Sequence, residues 1–446
     1  MIIKREEVML THDENMRMCL TGVDTPMGRA LRRYWVPALL ETEVGECDGD
    51  PVRIEIMGEK LVAFRDTEGN IGILNEFCCH RGASLSLGRN EDCGLRCIYH
   101  GWKFAHDGAV LDTPNVKDPE FKTRFKIKSY PAVAAGGIIW IYMGAPEDKP
   151  EFKRYPWMDL PASHLLTTIH FEDCNYVQVT EGLLDTTHLG FLHSDGLSHA
   201  GDVQIDYAAK VGKMADDLAP ELAAEDTEFG FHYAALRKGD SDGSHNVRIT
   251  SFVAPFTVLN PNGDIATLMV PVSDTTSLFI HVFWDTEKAI GEEPLRSQQL
   301  EFVGLTDHHL DSYGISRRTF GTPATAGHHN RFGQDRDAMR AGKTFSGLPG
   351  LIEEDVAVVV SSGPLRDRSG ERLSSADIGI QRLYRTLLTI AKQVDEGREP
   401  MGLGSAVDYG GIVGTSGVVS AGEPWQSLVP GHKKAQPNRM SGVPAE

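Results

Sequence analysis

No run in the chain approaches the roughly 18 apolar residues that a membrane-spanning helix needs. The first residues, Met1-Ile2-Ile3-Lys4-Arg5-Glu6-Glu7, also lack the apolar core of a signal peptide. The expectation is a soluble cytoplasmic protein that engages no membrane. Positive charge is short: 44 Lys and Arg stand against 63 Asp and Glu, a formal net charge of −19. That balance argues against nucleic acid as a partner. Cysteine is scarce too, seven in 446 residues, and Cys19, Cys47, Cys93 and Cys174 show no disulfide-framework spacing. These four read as reduced and structural. A dinucleotide fingerprint is missing, since Gly410-Gly411-Ile412-Val413-Gly414 lacks a strand–helix context. No repeat is visible, and the composition, 41% hydrophobic and 24% charged, is that of a globular chain long enough for two domains.

What is present begins at Cys78-Cys79-His80-Arg81-Gly82, answered by Cys97-Ile98-Tyr99-His100-Gly101. Two short Cys/His pairs on facing loops can hold a [2Fe–2S] cluster in which two neutral histidines replace two thiolates on one iron, which raises the reduction potential. That is the Rieske arrangement, with ligands Cys78, His80, Cys97 and His100 and with Cys79 in the x position. A structural Cys₂His₂ zinc site would use the same residues. Gly82, Gly88, Gly94 and Gly101 supply the permissive backbone of two tight loops, and Gly101-Trp102-Lys103-Phe104 closes the second.

Around these loops the pattern is β-rich. Thr25-Pro26 predicts a short helix ended by Pro37. Val52–Met57, Lys60–Arg65 and Ile71–Asn75 follow as strands, and Gly137–Met143 is the last strand before the Pro146–Pro150 linker. The expected division is a helical segment over 1–34, a small antiparallel β domain over 35–150 and a larger α+β domain over 151–446. In the larger domain Phe231–Arg237, Val247–Val253 and Leu278–Trp284 read as strands of an antiparallel sheet, alternating with helical patterns. Residues 201–228 read as acidic and turn-rich. Ser374-Ser375-Ala376-Asp377 resembles a capping box ahead of Ile380, Leu383, Leu387 and Ala391 at helical spacing, a long late helix. The tail from about Gly402 is rich in Gly, Ser and Pro and is expected to wrap a surface.

A second metal motif lies in this domain: Asp185-x₂-His188-x₄-His193. Asp185 and His188 fall on one helix face, whereas His193 needs a π-bulge or break, marked by Gly190, to join them. Two histidines and a carboxylate with open positions form the facial triad of non-haem Fe(II) oxygenases. Leu351-Ile352-Glu353-Glu354-Asp355 offers three carboxylates, and spacing alone does not separate them; Asp355 is favoured. Asp185 is placed to accept the other ring N–H of His188. Two other classes remain as alternatives, a Rieske electron carrier without oxygenase activity and a colourless zinc-stabilised module.

The two motifs together resemble the α subunit of Rieske non-haem iron oxygenases across nearly the whole chain. Thr25-Pro26-Met27-Gly28, Arg33-Tyr34-Trp35, Cys78–Leu85 and Gly363-Pro364-Leu365-Arg366-Asp367-Arg368 look like the phthalate dioxygenase group, which includes aromatic O-demethylases. The resemblance implies a helix-grip catalytic domain, one cluster and one mononuclear Fe(II) per subunit, and an NADH-dependent flavin/iron–sulfur reductase as partner. It implies an aspartate ligand shortly before the Gly-Pro stretch, which matches Asp355. It also implies homotrimers, sometimes hexamers, in which Asp185 bridges His188 to His100 of the partner subunit. Cys79 is a departure, standing where a non-thiol residue is usual. The reaction implied is hydroxylation of an aromatic carboxylate with O₂, as dioxygenation or monooxygenation, or demethylation of an aryl methyl ether. A guanidinium suits a carboxylate; Arg237 and Arg248 flank the Gly239–Ser244 turn, Arg248 fits the family pattern better, and Lys213 is a weak second cation. The Gly321–Gly350 loop, with His328-His329, is a candidate gate.

Overall fold

The computed structural model describes residues 10–198, 217–239, 241–261 and 264–432. Thr11 opens the helix His12–Cys19 with a capping box to Glu14. Thr25 opens Pro26–Leu31, its hydroxyl accepting from the Gly28 N–H and Pro26 occupying the first helical position. This second helix stops at Leu31, not at Pro37. Pro37 lies inside the strand Trp35–Leu40, opposite Trp140 and beside a register shift, and that strand is at the edge of its sheet, where proline is tolerated.

The β-rich half consists of three small antiparallel sheets. Val52–Ile56, Glu59–Arg65 and Ile71–Asn75 form a meander, Trp35–Leu40 pairs with Ile138–Tyr142 and that strand with Ala132–Ala135, and four short strands between Arg89 and Asp112 form the third. Val62, Phe64, Leu74, Leu95, Trp102 and Phe104 fill the core beneath the two Cys/His loops.

The larger half is built on an eight-stranded antiparallel sheet among the described residues. Leu165–Glu172 pairs with Ser277–Trp284, which pairs with Ile265–Pro271. The order continues through Thr257–Leu259, His245–Val253 and Gly230–Lys238 to Glu221–Asp226. From Glu221 to Trp284 these strands follow one another with no helix between them among the described residues, so the expected alternation with helices gives way to a run of hairpins. Glu221–Asp226 is itself a strand in a stretch expected as turns; its polar residues suit an edge. The helices flank the run in sequence. Tyr176–Leu183 precedes it, and Leu295–Val303, Leu351–Ser361 and Ile378–Asp395 follow.

Ile378–Asp395 is gripped by the sheet. Its Ile380, Leu383, Leu387, Ile390 and Ala391 are buried in one core with Phe231, Tyr233 and Phe252, and the two amino-terminal helices pack on its other side. Ser374 supplies the capping box just ahead of it. In the tail, Thr415–Val419 pairs with His245–Ile249, and Trp425 packs with Val419, Val247 and Ile249. All seven cysteines are free; Cys19 and Cys174 are buried, whereas Cys47 is exposed and fills no core. No helix among the described residues is long and apolar enough to cross a membrane.

Candidate metal centres

The two Cys/His loops are built alike. Cys78 N–H donates to Ala83 O at 2.9 Å while Cys78 O accepts from Gly82 N–H at 2.9 Å. Cys97 repeats both bonds with Trp102 O at 2.8 Å and Gly101 N–H at 3.0 Å. Each loop closes only because its glycine has positive φ, +72° at Gly82 and +76° at Gly101. Gly94 serves the adjoining hairpin instead, where a Cβ would lie 2.7 Å from Phe104 O.

Both sulfur-bearing side chains are buried and both histidines half-buried. The rings of His80 and His100 stand 4.5 Å apart, and Trp102 stacks on His80 at 4.6 Å, nearly parallel. Burial, with neighbouring Cys97 adding to it, pushes the Cys78 thiol up to about 12. Burial, then His100 and Arg81, lower His80, which favours the neutral imidazole a metal binds. A tetrahedral zinc would gather its donors to within roughly 4 Å of one another. Among the described residues only His188, His193 and Asp355 bring three donor atoms within 4.8 Å. The Cys/His quartet is spread more widely, as a two-iron cluster requires.

The second centre arises where the Tyr176–Leu183 helix breaks. Asp185 and His188 do not share a helix face: both lie in the irregular link before the short helix Leu189–Leu192, and His193 caps that helix. The break therefore falls before His188 instead of at Gly190. Asp185 Oδ1 accepts from Thr187 N–H and Oγ1–H at 2.7 and 2.6 Å, which leaves Oδ2 facing His188 Nδ1 at 3.6 Å. Burial raises Asp185, but His188 and Thr187 outweigh it and hold the carboxyl below its usual range.

Glu353, Glu354 and Asp355 open the helix Leu351–Ser361, and its turn sends them three ways. Asp355 Oδ1 lies 3.7 Å from His188 Nε2 and 3.1 Å from His193 Nε2. Glu354 Oε2 lies 2.7 Å from His193 Nδ1, and Glu353 turns toward Gly304 and Gly350. A carboxylate only accepts, so Nδ1 of His193 carries the hydrogen and Nε2 is left as the donor atom for a metal. Ser346 Oγ–H donates to Glu354 Oε1 at 2.5 Å. The two imidazole Nε2 atoms and the Asp355 carboxylate thus converge, each histidine backed by a carboxylate, a donor set that suits a non-haem iron.

Helix Tyr176–Leu183 is locked to helix Leu351–Ser361 by Gln178, a residue the sequence did not single out. Its amide donates to Val359 O and Gly363 O, both at 3.0 Å, and its Oε1 accepts from Arg366 N–H at 2.9 Å. Beside the three donors lies a cavity of about 150 Å³, the size of an apolar cavity that admits a benzene ring. Asp355 keeps 39% of its side-chain surface accessible because it lines this space.

Neither Arg237 nor Arg248 is among the described residues lining the cavity. Arg237 is not a solvated hairpin-end residue: it is buried, its guanidinium donates to Asp217 O at 3.3 Å and to Thr186 Oγ1 at 3.4 Å, and its Nη1 lacks a partner among the described residues. Arg248 faces Ala235 one strand away, diagonal to Arg237 on the same face. Lys213 lies outside the described residues. His328 and His329 are exposed, and the Gly321–Gly350 segment reaches the centre through Ser346.

Residues 34–131 match the Rieske [2Fe-2S] domain and residues 141–443 the LigXa C-terminal domain like family. Sheet, loops and triad define an iron-dependent oxidoreductase with one [2Fe–2S] cluster and one mononuclear iron site. The chain belongs to the Rieske non-haem iron oxygenases, among the oxygenase subunits with a LigXa-like carboxy-terminal domain. It is 36% identical to the phthalate 4,5-dioxygenase oxygenase subunit of Pseudomonas putida, over 94% of either chain. It is also 36% identical to the 3-chlorobenzoate-3,4-dioxygenase oxygenase subunit of Comamonas testosteroni, over 90% of this chain and 93% of that one. The crystal structure of dicamba monooxygenase bound to dicamba shares the fold, with a TM-score of 0.55 at 17% identity over 82% of this chain and 99% of that one.

Proposed function

We propose that this chain is the terminal oxygenase of a multicomponent system that hydroxylates a single-ring aromatic carboxylate. The observation that carries the reading is the convergence of His188, His193 and Asp355 within 4.8 Å on a ring-sized cavity. In this reading Cys78, His80, Cys97 and His100 hold the cluster, in a domain spanning 35–150. His188, His193 and Asp355 hold the mononuclear iron in a domain spanning 151–446, and residues 1–34 are a helical segment ahead of both domains. The iron, when bound, supplies the activation of O₂ beside the substrate.

The protein's own groups do the rest. Glu354 and Asp185 fix the two imidazoles with Nε2 inward, and the apolar side chains Val179, Leu183, Phe279, Phe283, Ile265 and Ile352 keep water from the ring. Arg237 and Arg248 are the cations proposed for the substrate carboxylate, which would have to extend beyond the described lining of the cavity to meet either of them. Electrons come from an NADH-oxidising flavin/iron–sulfur reductase in the cytoplasm. In a homotrimer or hexamer, Asp185 would link His188 to His100 of the partner subunit, so that one carboxylate would join the residues holding the mononuclear iron to those holding the cluster. O-demethylation of an aryl methyl ether is the second reading, favoured by the 26% identity, over 88% of this chain and 83% of the relative, to the 5,5'-dehydrodivanillate O-demethylase oxygenase subunit of a Sphingobium species; both reactions use the same triad.

The test is His188→Ala in the complete enzyme with a reductase. Iron should fall to the cluster's share, with the Rieske EPR signal and acid-labile sulfide unchanged and turnover of an aromatic acid abolished. Turnover surviving that change would show the triad to be wrongly assigned.

A further inference from the structure

The cavity has two walls of different character. One carries the metal-binding side chains; the other is the sheet, which contributes Glu172, Thr267, Phe279, His281 and Phe283. In the strand Leu165–Glu172, Thr168 stands opposite His281 and His170 opposite Phe279. Alternation therefore brings Thr168, His170 and Glu172 to the face that bears His281. All four are buried. Among the described residues, Thr168 Oγ1, both ring nitrogens of His170, Glu172 Oε2 and His281 Nδ1 have no hydrogen-bond partner.

Buried polar atoms are paired in nearly all folded proteins, because leaving one unmet costs its full desolvation. Five unmet atoms in one patch of a packed sheet therefore contribute nothing to stability. Two of the residues, Glu172 and His281, line the cavity itself. His281 is held flat between Phe279 at 4.0 Å and Phe283 at 5.9 Å, and His170 backs it at 5.5 Å.

The charges around the cavity narrow what these groups can meet. Its ionisable lining residues are Glu172, Asp185, His188, His193, His281 and Asp355, with no lysine or arginine among the described ones. A carboxylate on the sheet side would find no cation there. A hydroxyl needs none, and it both donates and accepts.

We infer that Glu172 and His281 are polar anchors of the substrate pocket, taking an aromatic ring that bears an uncharged hydrogen-bonding substituent, specifically a hydroxyl, against the sheet. This rests on the aromatic-acid reading above and adds a second substituent to that ring. Burial, with Asp355 adding to it, pushes the Glu172 carboxyl up to about 8, and burial keeps the His281 ring uncharged.

The experiment is calorimetric titration of the iron-loaded full chain with benzoate and with 2-, 3- and 4-hydroxybenzoate, in the wild type, Glu172→Met and Glu172→Gln. At least one hydroxybenzoate should bind about tenfold or more tightly than benzoate, since a site built to pair a hydroxyl rejects the analogue without one. The advantage should vanish in Glu172→Met and survive in Glu172→Gln, which keeps a donor and an acceptor. His281→Phe repeats the test at the second anchor if Glu172→Met does not fold. Equal binding of all four acids, or a hydroxyl advantage that persists in Glu172→Met, overturns the inference and leaves the aromatic reading standing. Binding of none of them removes the aromatic-acid reading, and the inference falls with it.

Discussion

Nδ1 of His193 lies 2.7 Å from Oε2 of Glu354, while the next residue, Asp355, faces Nε2 of the same ring. One helix start thus sets both the tautomer and the direction of this histidine. Acidic residues are also favoured in a first helical turn by the helix dipole. Glu354 is itself fixed by Ser346, so the carboxylate has no freedom to turn away.

Glu354→Ala should lower affinity for iron at the mononuclear site by about 10- to 100-fold, the usual effect of losing such a backing carboxylate. The cluster should be untouched. Metal analysis after dialysis against graded chelator, with the Rieske EPR signal as internal control, measures the change. Unaltered iron retention would mean that packing alone orients His193.

The same pair gives the metal-free protein a defined pH behaviour. Burial lowers the pKa of His193, but Asp355 and Glu354 outweigh it and bring the ring up to about 10. A folded pKa raised above the unfolded value contributes stability fully present below about 6.5 and lost as pH rises through about 10. Iron requires the neutral ring, so binding must expel that proton. Metal affinity should rise by up to tenfold per pH unit between about pH 7 and 9, with a proton released to buffer. Titrations in buffers of different ionisation enthalpy count that proton, and a pH-independent affinity would contradict the account.

The candidate metal ligands were legible because they are local. Cys78 and His80, Cys97 and His100, and His188 and His193 are close in sequence, so their types and spacing carry the chemistry. Asp355 was favoured without a spacing argument and then supported by resemblance, since three consecutive acids look alike until a helix turns them apart. Gln178 was missed because its partners, Val359, Gly363 and Arg366, lie far along the chain. Thr168, His170 and Glu172 left a signal that could have been read: three polar residues at alternate positions in an apolar strand. Their meeting with His281 depends on a pairing across a hundred residues, which no local pattern specifies. The break before His188 was hidden because Leu184-Asp185-Thr186-Thr187 contains no glycine or proline; the Asp185–Thr187 hydrogen bonds make the turn instead.

Asp185→Asn keeps the size of the side chain and the bonds from Thr187, yet removes the charge that faces His188 at 3.6 Å. If Asp185 carries the link to the cluster of the partner subunit, iron content should hold within about twofold while turnover falls at least about a hundredfold. Stopped-flow reoxidation of the reduced cluster in the presence of substrate and O₂ separates this from metal loss. A normal reoxidation rate would confine Asp185 to holding the His188 loop.

Arg368 ties this loop to the rest of the molecule. Its guanidinium is buried and donates to Glu181 Oε1 at 2.5 Å and to Asn15 Oδ1 at 2.9 Å. Tyr384 O–H donates to the same Glu181 oxygen at 2.7 Å. Glu181, in the helix whose end leads to Asp185 and His188, is thus tied directly to the helix Ile378–Asp395 and, through Arg368, to Asn15 of the helix His12–Cys19. Arg368→Met leaves Glu181 buried with only the half-buried Arg366 to balance it, and breaking such a pair costs about 3–5 kcal/mol. Removing both charges, in Arg368→Met with Glu181→Leu, should recover more than half of that loss, because no unpaired ion then remains in the core. Urea unfolding of the single and double variants tests this, and a double variant less stable than Arg368→Met alone would show that Glu181 is satisfied without the arginine.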